Sequence, residues 1–400
     1  MQRTALALSL AALGAVALAA FSARGGFAGD GVRYALGALL GGFAGFALYH
    51  ASFGFTAAYR RLVRDRRGAG LRAQMLLLGA TAAVTYPLIG YEGLTGWDMH
   101  PVIMPMTLVS ALGAFLFGLG MQLGGGCASG TLYTAGGGST RMVVTLFFFV
   151  IGSAWATAHL PGFWMQLDER TGVPDIPGTS LIRLYGPLGG LAALLCLLGA
   201  IWLVSVVVER RRHGDLLPFG RTTGWLRGDW SLTAGALALA AVGIGSFLLF
   251  QRPWSVTSGF ALWGAKLFQL AGIEVETWAY WQGWREAVLA GSVFAERISV
   301  MNFGIVCGAM AAAALAGRFR PTLALPVRDL LTAAVGGLMM GYGARLAFGC
   351  NIGAFLGGVV SGSLHGWWWL IWGFAGSTVG TWGRIRLGVD PPIARLRPQL

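Results

Sequence analysis

Apolar runs alternate with short polar stretches along almost the whole of this 400-residue chain. A run of about 18 or more apolar residues is long enough to cross the hydrocarbon core of a bilayer as a helix. Ten stretches read as spans: residues 4–22, 34–52, 74–91, 103–122, 142–160, 185–208, 232–250, 298–316, 329–348 and 364–383. The first, behind Arg3 and ending in AFSARGG, has the flanks of a signal peptide but exceeds a usual signal core, so it reads as a retained span. Residues 254–272 are apolar but are interrupted by Gly259, Gly264 and Lys266. The pattern predicts an all-α polytopic membrane protein.

The polar stretches fall into two kinds. One kind is dense in arginine: Arg60 to Arg72, Glu209 to Arg227, Arg318 to Arg328, and a tail with Arg384, Arg386, Arg395 and Arg397. The other carries acids, with Glu92 and Asp98 in one loop and Asp168, Glu169 and Asp175 in another. Arginine-rich loops stay on the cytoplasmic side. If residues 254–272 crossed the membrane, the Arg318 block would be forced outside. If they dip in and return, every arginine block is cytoplasmic, and so are both termini. The second arrangement is the expectation.

Between two of these spans stands GLGMQLGGGCASGTLYTAGGG, from Gly118 to Gly138, and Gly341 to Gly362 repeats its frame as GYGARLAFGCNIGAFLGGVVSG. With Cys127 laid over Cys350, Gly118, Gly120, Leu123, Gly126 and Gly130 fall on Gly341, Gly343, Leu346, Gly349 and Gly353. Spacing shared on both sides of a cysteine marks an internal repeat. Each glycine costs a helix interior up to about 1 kcal/mol, so this density serves turns and close approach rather than helix. Irregular backbone at membrane depth is tolerated where it is packed in protein or lines a wet cavity. Both stretches are therefore expected to be re-entrant loops entering from opposite faces and meeting near the midplane. The organisation that follows is an N-terminal segment (1–31), a first membrane repeat (32–160), a connecting span with loops (161–231), an inverted second repeat (232–385) and a basic tail (386–400). Inverted repeats place substrate sites at their interface.

Composition narrows the function. Hydrophobic residues are 56% of the chain and charged residues 11%, far below the roughly 25% of soluble domains. The net charge of +13 lies in topology-setting blocks without a basic-aromatic module, which argues against nucleic acid as a partner. Four cysteines (Cys127, Cys196, Cys307 and Cys350) show no metal-type spacing, and no ATP-binding motif is present, so no metal or cofactor is expected.

Cys127 and Cys350 are the sharp candidates. A thiol is a weak, polarisable donor suited to a soft, sulfur-bearing anion. Gly126 and Gly349 would let backbone N–H groups close around such an ion, with Ser129 and Asn351 supplying further donors. Arg345, where the first motif has Gln122, is either a functional intramembrane cation or a partner of neighbouring carbonyls. Cys196 and Cys307 read as packing residues, and His365 with Trp367 to Trp369 as interfacial. GxxxG-like spacings are set aside, because 64 glycines generate many by chance.

GGGCASGTLY and GARLAFGCNIGAF resemble the motifs of the sulfur-transport (YeeE/YedE) family of bacterial inner-membrane proteins, which includes thiosulfate permeases. WSVTSGFALWG (254–264) and FGFTAAYRRLVRD (53–65) extend the resemblance over most of the chain. It implies an inverted-repeat fold in which thiosulfate passes along cysteine thiols. Gly54 stands where family members often carry another cysteine, which leaves room for another sulfur or selenium species. Three readings stay open. The first is a non-enzymatic permease for a small sulfur-containing anion, thiosulfate foremost, supplying a cytoplasmic sulfur carrier or sulfurtransferase. The others are a persulfide relay and a scaffold with a Cys127–Cys350 disulfide.

Overall fold

The computed structural model describes residues 1–171, 175–321 and 325–390; the tail arginines Arg395 and Arg397 lie outside them. The first half runs α1 (Arg3–Ala23), α2 (Gly31–Ala51), α3 (Phe55–Asp65), α4 (Ala69–Gly90), the single turn α5 (Glu92–Thr95), α6 (Leu108–Gly124), α7 (Ala128–Gly136), α8 (Thr140–His159) and α9 (Met165–Thr171). Then come α10 (Leu181–His213), α11 (Leu232–Phe250), α12 (Thr257–Leu270), α13 (Trp284–Ala290), α14 (Arg297–Leu315), α15 (Val327–Leu346), a π-helical turn (Asn351–Leu356), α16 (Gly357–Val360) and α17 (His365–Arg386). Among the described residues there is no strand, only two isolated bridges. Nine helical segments there are long and apolar enough to cross a membrane. The expected tenth span forms α17, whose 22 residues would reach about 33 Å, but its glycines and hydroxyl residues leave it less apolar than the nine. At 14 residues, about 21 Å, α12 is too short to span.

Ion pairs and hydrogen bonds gather the arginine-dense segments at one end of the bundle. Arg67 bridges Glu209 and Asp215, at 3.2 and 2.8 Å, and Arg318 pairs with Asp229. Asp390 receives Arg384 at 2.8 Å and Arg64 at 3.5 Å, and Gln2 bonds the backbone of Phe319. The other end joins His100 to Gln251 and Met106 to Ile176. There α11 ends and α14 begins, with Arg297 donating to the carbonyl of Pro253, so α12 and the segment after it leave and return on one side. Buried Glu209 lies in the last turns of α10, past the expected span end, where Arg72 at 2.7 Å and the backbone N–H of Gly68 at 2.9 Å satisfy it.

The core is a set of helix pairs in backbone contact. α2 packs on α14, α8 on α15, α17 on α6, and α6 on α15. A Cβ added at Gly45 would overlap the carbonyl of Ile305, and one at Gly308 would overlap that of Gly42. Gly118 and Gly376 meet the carbonyls of Gly373 and Phe115 in the same way across α6 and α17. Small residues let membrane helices approach this closely, and dispersion then replaces the hydrophobic drive that lipid cannot supply. The glycine spacings set aside as chance are thus structural here: Gly41, Gly45, Gly304 and Gly308 form one seam.

Candidate functional site

α6 and α15 each end in a turn that delivers a cysteine to the start of a short helical segment. Gly125 has φ of 93°, its counterpart Phe348 has φ of 59°, and Gly349 has φ of 148°, a region that glycine enters without steric cost. A Cβ on Gly349 would also stand 2.9 Å from the amide nitrogen of Ala354. Cys127 then adopts extended backbone as the N-cap of α7, and its carbonyl accepts from Thr131 N–H and Oγ1 at 2.7 and 2.8 Å. Cys350, equally extended, caps the Asn351–Leu356 turn, its carbonyl taking the N–H of Ala354 at 2.8 Å and of Phe355 at 3.2 Å.

The two thiols belong to one buried cluster, where α7 packs against the Asn351–Leu356 turn. Cys127 is 1% exposed and Cys350 fully buried. The Cys127 sulfur stands 3.6 Å from the hydroxyl of Ser129. The amides of Ile352 and Gly353 lie beside the Cys350 sulfur, and a Cβ on Gly130 would touch that of Cys127 at 3.4 Å. Both sulfurs are therefore flanked by bare backbone. All four cysteines are free, so the expected alternative of a Cys127–Cys350 disulfide is not what the structure holds. Cys196 lies exposed on α10 and Cys307 half-buried on α14.

Asn351 is fully buried with both side-chain atoms unpartnered, and so is the hydroxyl of Tyr59, which lies beside it without good hydrogen-bond geometry. Three orphan polar atoms next to two thiols are costly, at about 1–3 kcal/mol each, unless a ligand or water meets them. Tyr59 was missed from sequence because it falls between the expected span end at residue 52 and the arginine block that starts at Arg60. The available signal was the helical spacing of buried Phe55, Thr56, Ala58 and Tyr59 ahead of the arginines.

Arg345 is 8% exposed and donates through Nη2 to Thr257 Oγ1 at 2.9 Å and through Nη1 to Tyr280 Oη at 3.4 Å. Its observed partners are thus hydroxyls, not the carbonyls of the adjoining turn. Its counterpart Gln122 donates to the carbonyl of Thr56 at 3.0 Å and to Ser377 Oγ at 2.7 Å. Each residue ties the last turn of its helix to the start of α12 or α3, and so holds the cysteine turn in place. Gly126 packs on the backbone of Thr131 and lends no side chain. His365 and Trp369, expected at the membrane interface, are buried within the protein. His365 is buried with Nδ1 2.7 Å from Ser363 Oγ, and Trp369 stacks with Phe355 at 6.4 Å. Among the described residues, no group of three His, Cys, Asp or Glu side chains could hold a metal ion.

Nine apolar spans around a glycine-framed, buried thiol pair define a multi-pass membrane protein. The chain belongs to the sulphur transport family, whose model matches residues 50–379, and this is a family of transporters rather than enzymes. It is 28% identical over 335 residues to a thiosulfate transporter, TsuA, of Spirochaeta thermophila, covering 83% of this chain and 93% of that one. To TsuA of Escherichia coli it is 26% identical over 354 residues, 86% of this chain and 93% of the relative. The probable transporter YedE of Escherichia coli is 31% identical over 167 residues, 42% of this chain and 40% of its own.

Proposed function

We propose that this protein is a permease that admits a small sulfur-containing anion, thiosulfate foremost, past Cys127 and Cys350 into the cytoplasm. The observation that carries the reading is the meeting of two motif thiols, one from each half, in a buried core. Weak S–H donors and polarisable sulfur match a soft sulfane sulfur, while neighbouring N–H groups and the Arg345 charge suit its oxyanion end. No bond of the ion has to break. A persulfide relay would need a cation to stabilise a thiolate; Arg345 is the cation within reach of Cys350, and its guanidinium is already engaged by the hydroxyls of Thr257 and Tyr280.

In this reading the two cysteine turns are re-entrant loops of inverted repeats, residues 32–160 and 232–385. Reciprocal packing supports it: if α6 corresponds to α15 and α8 to α17, then the α8–α15 contact has its mate in α6–α17. Likewise, with α2 corresponding to α11 and α4 to α14, the α4–α11 contact has its mate in α14–α2, the α2–α11 contact maps onto itself, and α3–α17 has its mate in α12–α8. The arginine-dense end would be cytoplasmic, with Gln2 and Asp390 both on that side, and a cytoplasmic sulfur carrier or sulfurtransferase would draw the flux inward.

The test is uptake of radiolabelled thiosulfate into proteoliposomes. Cys127→Ser and Cys350→Ser are each expected to lose at least tenfold in rate while retaining the parent's thermal midpoint. Parent-level uptake by both variants would remove the thiols from the mechanism.

A further inference from the structure

α17 ends by turning the chain back on itself. Gly388 takes a positive φ of 67°, the N–H of Val389 bonds the carbonyl of Arg384 at 2.9 Å, and Arg328 of α15 holds the Gly388 carbonyl at 2.9 Å. This is the left-handed helix ending that glycine permits. It returns Asp390 to the last turn of α17, where the two carboxylate oxygens accept from Arg384 Nε and Nη2, each at 2.8 Å. Arg64 and Arg60 reach the same carboxylate from α3, at 3.5 and 3.8 Å, and leave its side chain 14% exposed. A bidentate guanidinium with further cations around it is the way proteins hold a small oxyanion. Here the chain's own carboxylate fills that place.

The three arginines stand on the helices that frame the thiol pair. Arg60 follows Tyr59, whose hydroxyl lies beside Asn351, and Arg64 is one turn further along α3. Arg384 gives its Nη1 to the carbonyl of Gln122 at 2.8 Å, in the turn of α6 that leads to Cys127. Arg141 does the same for the carbonyl of Leu123 at 2.9 Å. The carboxylate therefore lies at the arginine-dense end of the bundle, against the helix end that carries the Cys127 turn.

We infer that Asp390 is an autoinhibitory latch: tethered by the Gly388 turn, its carboxylate occupies guanidiniums that an anion leaving the Cys127 turn would otherwise meet. That this end is the exit rests on the permease reading; the competition of carboxylate and free oxyanion for the same guanidiniums does not. A tether of a few residues gives the carboxylate an effective concentration of about a millimolar or more. A free anion then binds there only in the fraction of molecules whose latch is off. Release needs only the turn after α17 to open, so the helix crossings of the core stay as they are.

Two measurements on the full chain test this: uptake of thiosulfate by proteoliposomes, and thiosulfate binding by calorimetry in nanodiscs of neutral lipid. Asp390→Asn should raise the maximal uptake rate about threefold and tighten binding about tenfold, although it removes an ion pair. Asp390→Glu, which keeps the charge, should stay within about twofold of the parent. Gly388→Ala keeps every charge and strains only the left-handed turn, and it should move both readings in the same direction by a smaller factor. The tighter binding of Asp390→Asn should vanish when Arg60→Gln and Arg64→Gln are added, and should persist when Cys127→Ser and Cys350→Ser are added. Uptake that falls with the thermal midpoint in Asp390→Asn, with binding unchanged, would make Asp390 a brace and overturn the latch. Tightening that survives Arg60→Gln/Arg64→Gln would overturn it too, by placing the anion elsewhere. Absence of uptake in every chain, parent included, with the tightening intact, would sink the permease reading and leave the carboxylate's competition for the arginines standing.

Discussion

Arg345 donates its guanidinium to the hydroxyl of Thr257 at 2.9 Å, joining the last turn of α15 to the first turn of α12. A buried cation held by hydroxyls keeps its full charge for a passing ion. Arg345→Gln can still bridge the two helices, as Gln122 does in the first half, but it carries no charge. Uptake should fall at least tenfold, while Arg345→Lys should recover part of it. Uptake that follows the melting temperature of these variants, rather than their charge, would make Arg345 a brace alone.

The gathering of arginine segments predicts sidedness. Reporter fusions after Arg67, Arg212 and Arg320 should all read cytoplasm, and fusions near Asp98 and Asp175 the other side. A split between Arg212 and Arg320 would contradict the return of α12, because Arg318 and Asp229 are ion-paired at one end of the molecule.

Backbone contact along α2 and α14 sets a stability prediction. Gly308→Ala puts a methyl where the Gly42 carbonyl lies and should cost about 1–3 kcal/mol, read as a lower thermal midpoint in detergent. Gly199, on α10, has nothing within 4 Å of an added Cβ, and Gly199→Ala should leave the midpoint unchanged or slightly raised. Equal tolerance at both positions would mean that the seam is not tight.

These cases show where the sequence was legible. Hydrophobic run length placed the spans, because helix rise and bilayer thickness are fixed quantities, and both cysteines of the repeated frame lie at turns that follow a long helix. Residues 53–59 were left without an element because a short helix that buries one face for a single turn before its arginines gives no span-length signal in a hydropathy plot. The seam glycines were hidden for another reason: with 64 glycines, spacing cannot tell which pairs face each other. His365 and Trp369 sit where an interfacial belt is expected by count along the chain, yet the preceding turns fold over them.

Asp390 gives a pH prediction. The hydrogen bonds from Arg384 hold its carboxyl below the usual carboxylate range, with Arg60 and Arg64 adding to the effect against some desolvation. A depressed folded value means that the contribution to stability is fully present above the ordinary carboxylate pKa and is lost as pH falls through the folded value. Asp390→Asn should therefore lower the melting temperature at neutral pH, and the gap from the parent should close on acidification below about pH 4. A gap of constant size across that range would show that the ion pair carries no stability.

At Gly54 the backbone is extended, and an added Cβ would meet only the hydroxyl of Tyr133, at 3.8 Å. Gly54→Cys should fold normally and change thiosulfate uptake less than about twofold, since both central motifs are intact. A large gain over a nearly silent parent would point to another sulfur or selenium species as the native ion.

The carbonyl-on-glycine crossings also restrict how the molecule can work. Where main chain rests on main chain there is no side chain to change rotamer, so α2 cannot slide along α14 without lifting off it. The same holds for α6 on α17 and α8 on α15. Rocking of one half against the other would have to break all three crossings at once, at a cost that each turnover would meet again. What is left free to move is small: a tyrosine hydroxyl, a guanidinium, two glycine turns. An ion would then advance through a nearly rigid wall by short hops, and its speed would be governed by the depth of each resting place rather than by the swing of a domain.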